Sequence, residues 1–330
     1  ITAADHSRFN YWSAPVAGET FGDVFAGANA SDWYYWQVAG QQWSSQNSIA
    51  TSTELNRGAG YLSTPTVQNP PHANAITETR TFSASSLNNA RIDSTYSALA
   101  DDFMLVGNPY ASALDADAFI AANSDLSGTL YFWDHSGDEA NAGYASYNGS
   151  GATRSNTNQH AGINASGGLT PTGNIASCQG FFVAAASSSP SVVFTNAMRI
   201  SGSNGLFFKR KKEVRERIWL SASSDSGAYG QILLSFDNRA SSGYDRTLDG
   251  EILKANPLLS FYSWQDSLQL AIQALPKLSE VQTRRVVPLG LDCWQKGQHT
   301  IAIDSSHNWP ANNQIYLIDS LKKQRINLLK

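Results

Sequence analysis

The stretch "ERIWLSASSDSGAYGQILLSF", Glu216 to Phe236, sets the reading of the whole chain. It holds two apolar runs rich in strand formers, "ERIWLSA" and "GQILLSF", separated by Ser, Asp and Gly. The same rhythm continues downstream in "LSFYSW", "QLAIQA", "RVVPLG", "HTIAID" and "QIYLID". Seven such runs with turn residues between them, and no long helical periodicity, predict an immunoglobulin- or fibronectin-like sandwich over 217–330.

Upstream, the pattern is looser but still β-like. "TLYFW" (Thr129–Trp133), "QGFFVA" (Gln179–Ala184) and "SVVFT" (Ser191–Thr195) are strand-like runs bounded by Gly, Ser or Asn. Residues 145–178, largely Ser, Asn, Gly and Thr, are expected to be long loops. The expected fold is therefore all-β, with two tandem sandwich-like domains, the first jelly-roll-like. One short helix is expected near 113–122. In "LVGNPYASALDADAF" (Leu105–Phe119), Gly107-Asn108-Pro109 ends a strand, and Ser112, Asp115 and Asp117 supply the polar start of that helix. Carboxylates in a first turn favour the positive end of the helix dipole.

Charge divides the chain at one place. Residues 1–208 contain no lysine and six arginines against fifteen acids, a balance of −9. Residues 209–330 carry seventeen basic residues against twelve acids, a balance of +5. The boundaries are thus an acidic, aromatic-rich domain at 1–208, a basic connector at 209–216 and a second domain at 217–330. The run Lys209, Arg210, Lys211, Lys212 is one short cluster beside an acidic half, so no groove-sized positive surface for nucleic acid is implied. The longest apolar runs fall far short of the roughly 18 residues of a transmembrane helix. No signal peptide opens the chain, which reads as mature or a fragment. Cys178 and Cys293 are too few for a disulfide framework; buried thiols are favoured over a bridge between the halves.

Catalytic motifs are missing: no Gly-x-Ser-x-Gly elbow, zinc-binding His pair or phosphate-binding loop occurs. A carboxylate pair of the glycosidase type, assembled only in three dimensions, is the weakest of the readings. Three features are candidates for binding. The aromatic run Trp33, Tyr34, Tyr35, Trp36 and Trp43 offers rings for a glycan, against the alternative of alternate strand residues packing into a core. Asp134, Asp138 and Glu139 in "FWDHSGDEA", and Asp245, Asp249 and Glu251 in "YDRTLDGE", are oxygen ligands of the kind calcium takes. The alternative there is an ordinary polar loop. Asp115 and Asp117, two apart on a helix, point in different directions and do not form a cation site alone.

Taken in order, "NYWSAP" (Asn10–Pro15), "GAGYLSTP" (Gly58–Pro65), "LVGNPYASALDADAFIAAN" (Leu105–Asn123), "GTLYFWDH" (Gly128–His135), "CQGFFVAA" (Cys178–Ala185), "FTNAMR" (Phe194–Arg199), "ERIWL" and "GYDRTLDGE" closely resemble a region of large Bacteroidetes proteins. Those are adhesin-like surface or secreted proteins exported by the type IX secretion system, and the region precedes their sorting domain. Two positions depart from the pattern, Ala111 where Pro is expected and Cys178 in place of an apolar or glycine-rich lead-in. The resemblance implies a non-enzymatic module at the cell surface or outside the cell. Its implied partners are the secretion machinery, through a sorting domain beyond the chain, and other surface proteins or glycans. It also implies O-glycosylation at Ser267 and Ser320 in the two Asp-Ser-Leu triplets.

Overall fold

The computed structural model describes residues 2–3, 9–25, 33–45, 49–63, 76–77, 81–83, 86–134, 142–155, 170–200, 215–225, 227–256, 258–278, 284–294 and 296–329. The fold is all-β and sandwich-like. Its first body is built on a five-stranded antiparallel sheet. The strands run in the order Gly151–Ala152, Gly143–Asn148, Leu126–Asp134, Gly180–Ala185 and Phe103–Gly107.

Side chains alternate between the faces of a strand, so this sheet feeds two cores. Met104, Val106, Leu130, Phe132, Phe181 and Val183 pack on one side with Phe119 and Ile120 of a short helix. Leu105, Tyr131 and Phe182 point the other way, with Phe103, Trp133 and Tyr144 packed around them. That second face is covered by a four-stranded sheet ordered Asn10–Trp12, Tyr61–Ser63, Trp33–Gln37, Gln42–Trp43, which contributes Tyr11, Leu62, Tyr34, Trp36 and Trp43. The strand Gly143–Asn148 runs into the stretch 145–178 expected to be loop, and its partner Gly151–Ala152 falls inside it. Gly143–Asn148 lies between Leu126–Asp134 and the two-residue edge strand, and its Tyr144 packs edge-on against Trp133.

The helix runs Ala116–Ala122, and its N-cap is Asp115 rather than Ser112. Asp115 Oδ1 accepts the N–H groups of Asp117 (2.8 Å) and Ala118 (3.1 Å), satisfying two donors that a helix start leaves open. Ser112 is engaged elsewhere, its Oγ accepting from Arg199 Nε at 2.7 Å. Asp117 Oδ1 accepts the Tyr147 hydroxyl at 2.9 Å and ties the helix to the sheet. Asn108 is fully buried: its carbonyl oxygen accepts Tyr110 N–H, and its amide donates to the Ser112 and Ala176 carbonyls. Among the described residues there is also a single helical turn, Phe21–Val24, closed by a Thr20–Asp23 capping box.

The second body is one seven-stranded sheet, with the main order Leu289–Cys293, Leu259–Gln265, Leu268–Leu275, Tyr229–Phe236, Glu216–Ser224, His299–His307. Gly250–Glu251 pairs beside Leu268–Leu275, and the pair Tyr229–Phe236 with Leu268–Leu275 is parallel. A hairpin, Tyr316–Asp319 with Gln324–Asn327, follows. Residues 209–214 of the expected connector lie outside the described residues. Its last two positions are not solvated linker: Arg215 is buried, and Glu216 is the first residue of a strand. Both thiols are free, but only Cys178 is partly buried; Cys293 stands exposed at the end of an edge strand, contrary to the expectation for it.

Candidate functional site

The most elaborated polar region is the seam where the two bodies meet. Along the strand Glu216–Ser224 and the residue before it, alternate side chains point to one face. Three of them in succession donate to the turn 149–152 of the first body. Arg215 Nη1 donates to the Gly149 carbonyl, Arg217 Nε to Ser150 O (2.7 Å) and Trp219 Nε1 to Ala152 O (2.8 Å). The loop before Gly250 answers from the other side. Gly149 N donates to Thr247 O (2.9 Å), Asn148 Nδ2 to Leu248 O (3.1 Å), Thr129 Oγ1 to Asp249 O (3.2 Å) and the Tyr131 hydroxyl to Glu251 O (3.0 Å). Arg246 reaches the Asn123 and Leu126 carbonyls just past the helix, where the helix dipole favours a cation.

Two glycines allow this approach. Gly128 sits at φ +89°, and a Cβ there would lie 2.5 Å from Arg246 O. A Cβ on Gly149 would lie 2.6 Å from Thr247 O. Both contacts are to backbone, which cannot move aside cheaply.

The seam opens into a small cleft of about 50 Å³, enough for a few waters. It is lined by Tyr144, Thr153 and Arg154 on one side and Tyr229, Gln231 and Lys254 on the other. Its cations are already engaged. Arg154 donates to the Tyr229 hydroxyl (2.9 Å) and to Asp304 (2.7 Å), while Lys254 pairs with Asp292 at 2.7 Å. Burial pushes the Tyr229 hydroxyl up to about 12.

The acids of the seam differ in character. Asp237 is held down to about 2, first by its hydrogen bonds from Arg239 and also by the neighbouring Arg215 guanidinium, 3.0 Å away. Among the described residues no cation pairs with Asp249, and burial pushes its carboxyl up to about 6. Both of its oxygens accept backbone N–H groups, from Ala274 and Asp245, each at 2.6 Å. Glu251 is also pushed up by burial, with the Asp101 carboxylate adding to the effect.

The residues singled out as binding candidates are dispersed. The aromatic run splits across both faces of its strand. Trp33 is 2% exposed and stacks on Phe21 in a separate core, with no ring face left for a ligand. Trp36 packs on Phe182 and donates Nε1 to Phe103 O at 2.8 Å; Trp43 packs edge-on against it. Only Tyr35 is exposed. Of the acids offered for calcium, Asp245 and Asp249 are neighbours, the Asp245 N–H donating to Asp249, and each of these two already has protein donors. Asp134 accepts the Ser155 hydroxyl, Asp245 accepts Ser241 N–H, and Asp249 is spent on backbone donors. Asp138 and Glu139 lie outside the described residues. Among the described residues no three His, Cys, Asp or Glu side chains gather as a metal site would require, and no helix is long and apolar enough to cross a membrane. Ser267 and Ser320 are both exposed in tight hairpin turns.

Fold and seam together define an all-β, sandwich-like protein whose best-built polar region joins its own two bodies. The chain belongs to the family described as a domain of unknown function (DUF8693), which matches it over residues 2–330. No curated protein matches it. No solved structure does either. The seam was the part that reading the residues missed. Its signal was present as the period-two series Arg215, Arg217, Trp219, facing an Asn-Gly-Ser-Gly turn at 148–151.

Proposed function

We propose that this protein is a non-enzymatic structural module of a cell-surface or secreted, adhesin-like protein exported by the type IX secretion system. Its work is to act as one stiff unit that presents neighbouring domains or joins a surface assembly. The observation that carries this reading is the seam: side chains from three alternate positions, Arg215, Arg217 and Trp219, donate to the other body's carbonyls, with glycines where backbones touch. Directed hydrogen bonds of this kind favour one arrangement of the two bodies, because any other leaves buried polar groups unpaired. A family match running across both bodies supports treating them as one unit.

Scanning calorimetry tests the mechanical half of the proposal. One cooperative transition, with calorimetric and van't Hoff enthalpies equal, is expected. Two resolved transitions, one for each body, would refute it. Export is tested by fractionating a Bacteroidetes host that carries the gene, with and without a working type IX machinery. Surface or culture-medium protein that persists without the machinery counts against the assignment.

A further inference from the structure

Among the described residues, seven of the ten exposed large apolar side chains lie beyond residue 276. Two of them, Val286 (66%) and Trp294 (60%), flank the strand Leu289–Cys293. That strand ends the main order of the second body's sheet and pairs only with Leu259–Gln265. Its outer side has no strand against it among the described residues.

The register decides which backbone groups face out. Leu259 is opposite Cys293, Phe261 opposite Leu291 and Ser263 opposite Leu289. The Pro288 carbonyl accepts Trp264 N–H (2.9 Å), and Trp294 N–H donates to Leu258 O (3.2 Å), so the ladder runs from 288 to 294. In an antiparallel pair, residues bonded to the partner alternate with residues whose N–H and C=O turn away. Pro288, Gly290, Asp292 and Trp294 are thus bonded inward, while Leu289, Leu291 and Cys293 turn their backbone groups outward. Val287, packed with Leu289 and Leu291 on the same core, continues the outward series. The usual protections of an edge are missing. The strand holds no lysine, and Pro288 has its nitrogen on the inner side, facing Trp264.

The open series Val287, Leu289, Leu291, Cys293 is centred on Gly290, and so are Val286 and Trp294, four residues to either side. Alternate residues of a strand share a face, which puts Val286 and Trp294 opposite the Leu289–Leu291 core. The Tyr262 and Trp264 rings lie over the glycine on that same face, where a Cβ would stand 2.9 Å from Trp264 Nε1.

We propose that Leu289–Cys293 pairs antiparallel with the same strand of a second copy of this chain, about a two-fold axis at Gly290. In that register Val287 lies opposite Cys293 of the second copy and Leu289 opposite its Leu291, so every outward N–H and C=O finds a partner. Trp294 meets Val286 of the second copy, and the contact occurs twice, as a two-fold interface requires. An unrelated strand would satisfy the backbone but would match Val286 and Trp294 only by coincidence. Seven paired residues from each copy are fewer than the roughly 20–30 a side of a standard stable interface, so the dimer is weak and reversible. Exposed Arg284 and Lys296 of opposite copies come together at the outer ends, so added salt strengthens the association by screening them. The inference stands apart from the rigid-unit reading: two calorimetric transitions would overturn that reading and leave the pairing unchanged.

Sedimentation of the full chain at up to about 0.5 mM is expected to show a reversible dimer that strengthens with salt. In hydrogen exchange, the amides of Leu289, Leu291 and Cys293 should gain protection with concentration. Those of Gly290 and Asp292, already bonded inward, should not. Trp294→Asp and Val286→Lys change exposed side chains, and each should weaken the dimer roughly tenfold or more while the monomer's melting temperature holds. Mixing the two variants should restore association, because a mixed pair keeps one Trp–Val contact and gains one Asp–Lys contact. A monomer throughout the concentration range overturns the proposal. So does a dimer that ignores both substitutions, or one that protects His299–His307 instead. A mixture that associates no better than either variant alone also overturns it.

Discussion

The seam and the C-terminal face both belong to the second half of the chain, and they are finished in opposite ways. At the seam, Arg215, Arg217 and Trp219 each find a carbonyl, and glycines clear the space between backbones. On the C-terminal face, Val286, Trp294 and Leu321 meet nothing among the described residues that buries them. The difference separates two tasks. Apolar burial supplies free energy but little register, since one apolar residue can slide past another. Directed hydrogen bonds fix one arrangement, because any other leaves buried polar groups unpaired. The seam has its partner fixed; the C-terminal face has the apolar surface without the fixing partner.

The sharpest way to break the contrast is to spoil the seam's backbone contact. Gly128→Val adds a branched side chain at φ +89° and a clash with Arg246 O. The expected loss is about 3–5 kcal/mol, combining left-handed strain with overpacking. Urea unfolding should show it, and the single transition should split as the bodies part.

Arg215→Met comes next. It removes the buried guanidinium 3.0 Å from Asp237 and leaves that carboxylate with Arg239, whose side chain is 59% exposed. Breaking a buried pair from one side costs about 3 kcal/mol. The acid limb of the stability curve should move with it. Asp237 titrates near 2 in the folded chain, below its ordinary 3.8. Its contribution is therefore present above about pH 4 and lost as pH falls toward 2. In the variant the folded-state value rises toward 3.8, and that acid-sensitive contribution shrinks.

Asp249 gives the opposite slope at the same seam. Its folded value of about 6 lies above 3.8, so the folded state keeps a proton that the unfolded chain releases. Its contribution is full below about pH 4 and declines as pH rises through 6, by about 2–3 kcal/mol in total. Asp249→Asn should flatten stability between pH 4 and 6. A slope that survives the substitution would assign it to another group.

How much of this was legible beforehand follows from the range of the interactions. The runs from "ERIWLSA" to "QIYLID" are local signals, and each falls on or overlaps a strand. Asp115 and Asp117 are local too, and only the identity of the cap shifted by three residues, because Ser112 was claimed by Arg199 from 87 positions away. The strand Gly143–Asn148 was missed because its Gly, Ala and Ser composition reads as loop until Trp133 and Phe182 are seen packed beside it. The calcium and glycan candidates were read from spacing alone. Spacing along the chain brings acids or rings near one another in sequence. Whether they converge depends on which face of a strand each occupies and which backbone donors reach them first.

The smallest expected effect is the most telling for the comparison. Leu321→Asp replaces a large apolar residue, which in a core would cost several kcal/mol. Leu321 is 91% exposed at a hairpin tip, so it loses almost no burial, and Asp is well suited to a turn. The change in unfolding free energy should stay within about 0.5 kcal/mol, as for other surface positions. A neutral result shows that the exposed leucine contributes nothing to the isolated fold. A loss of about 2 kcal/mol or more, the lower end for truncating a buried leucine, would mean that Leu321 is covered in solution and that the C-terminal face is already closed.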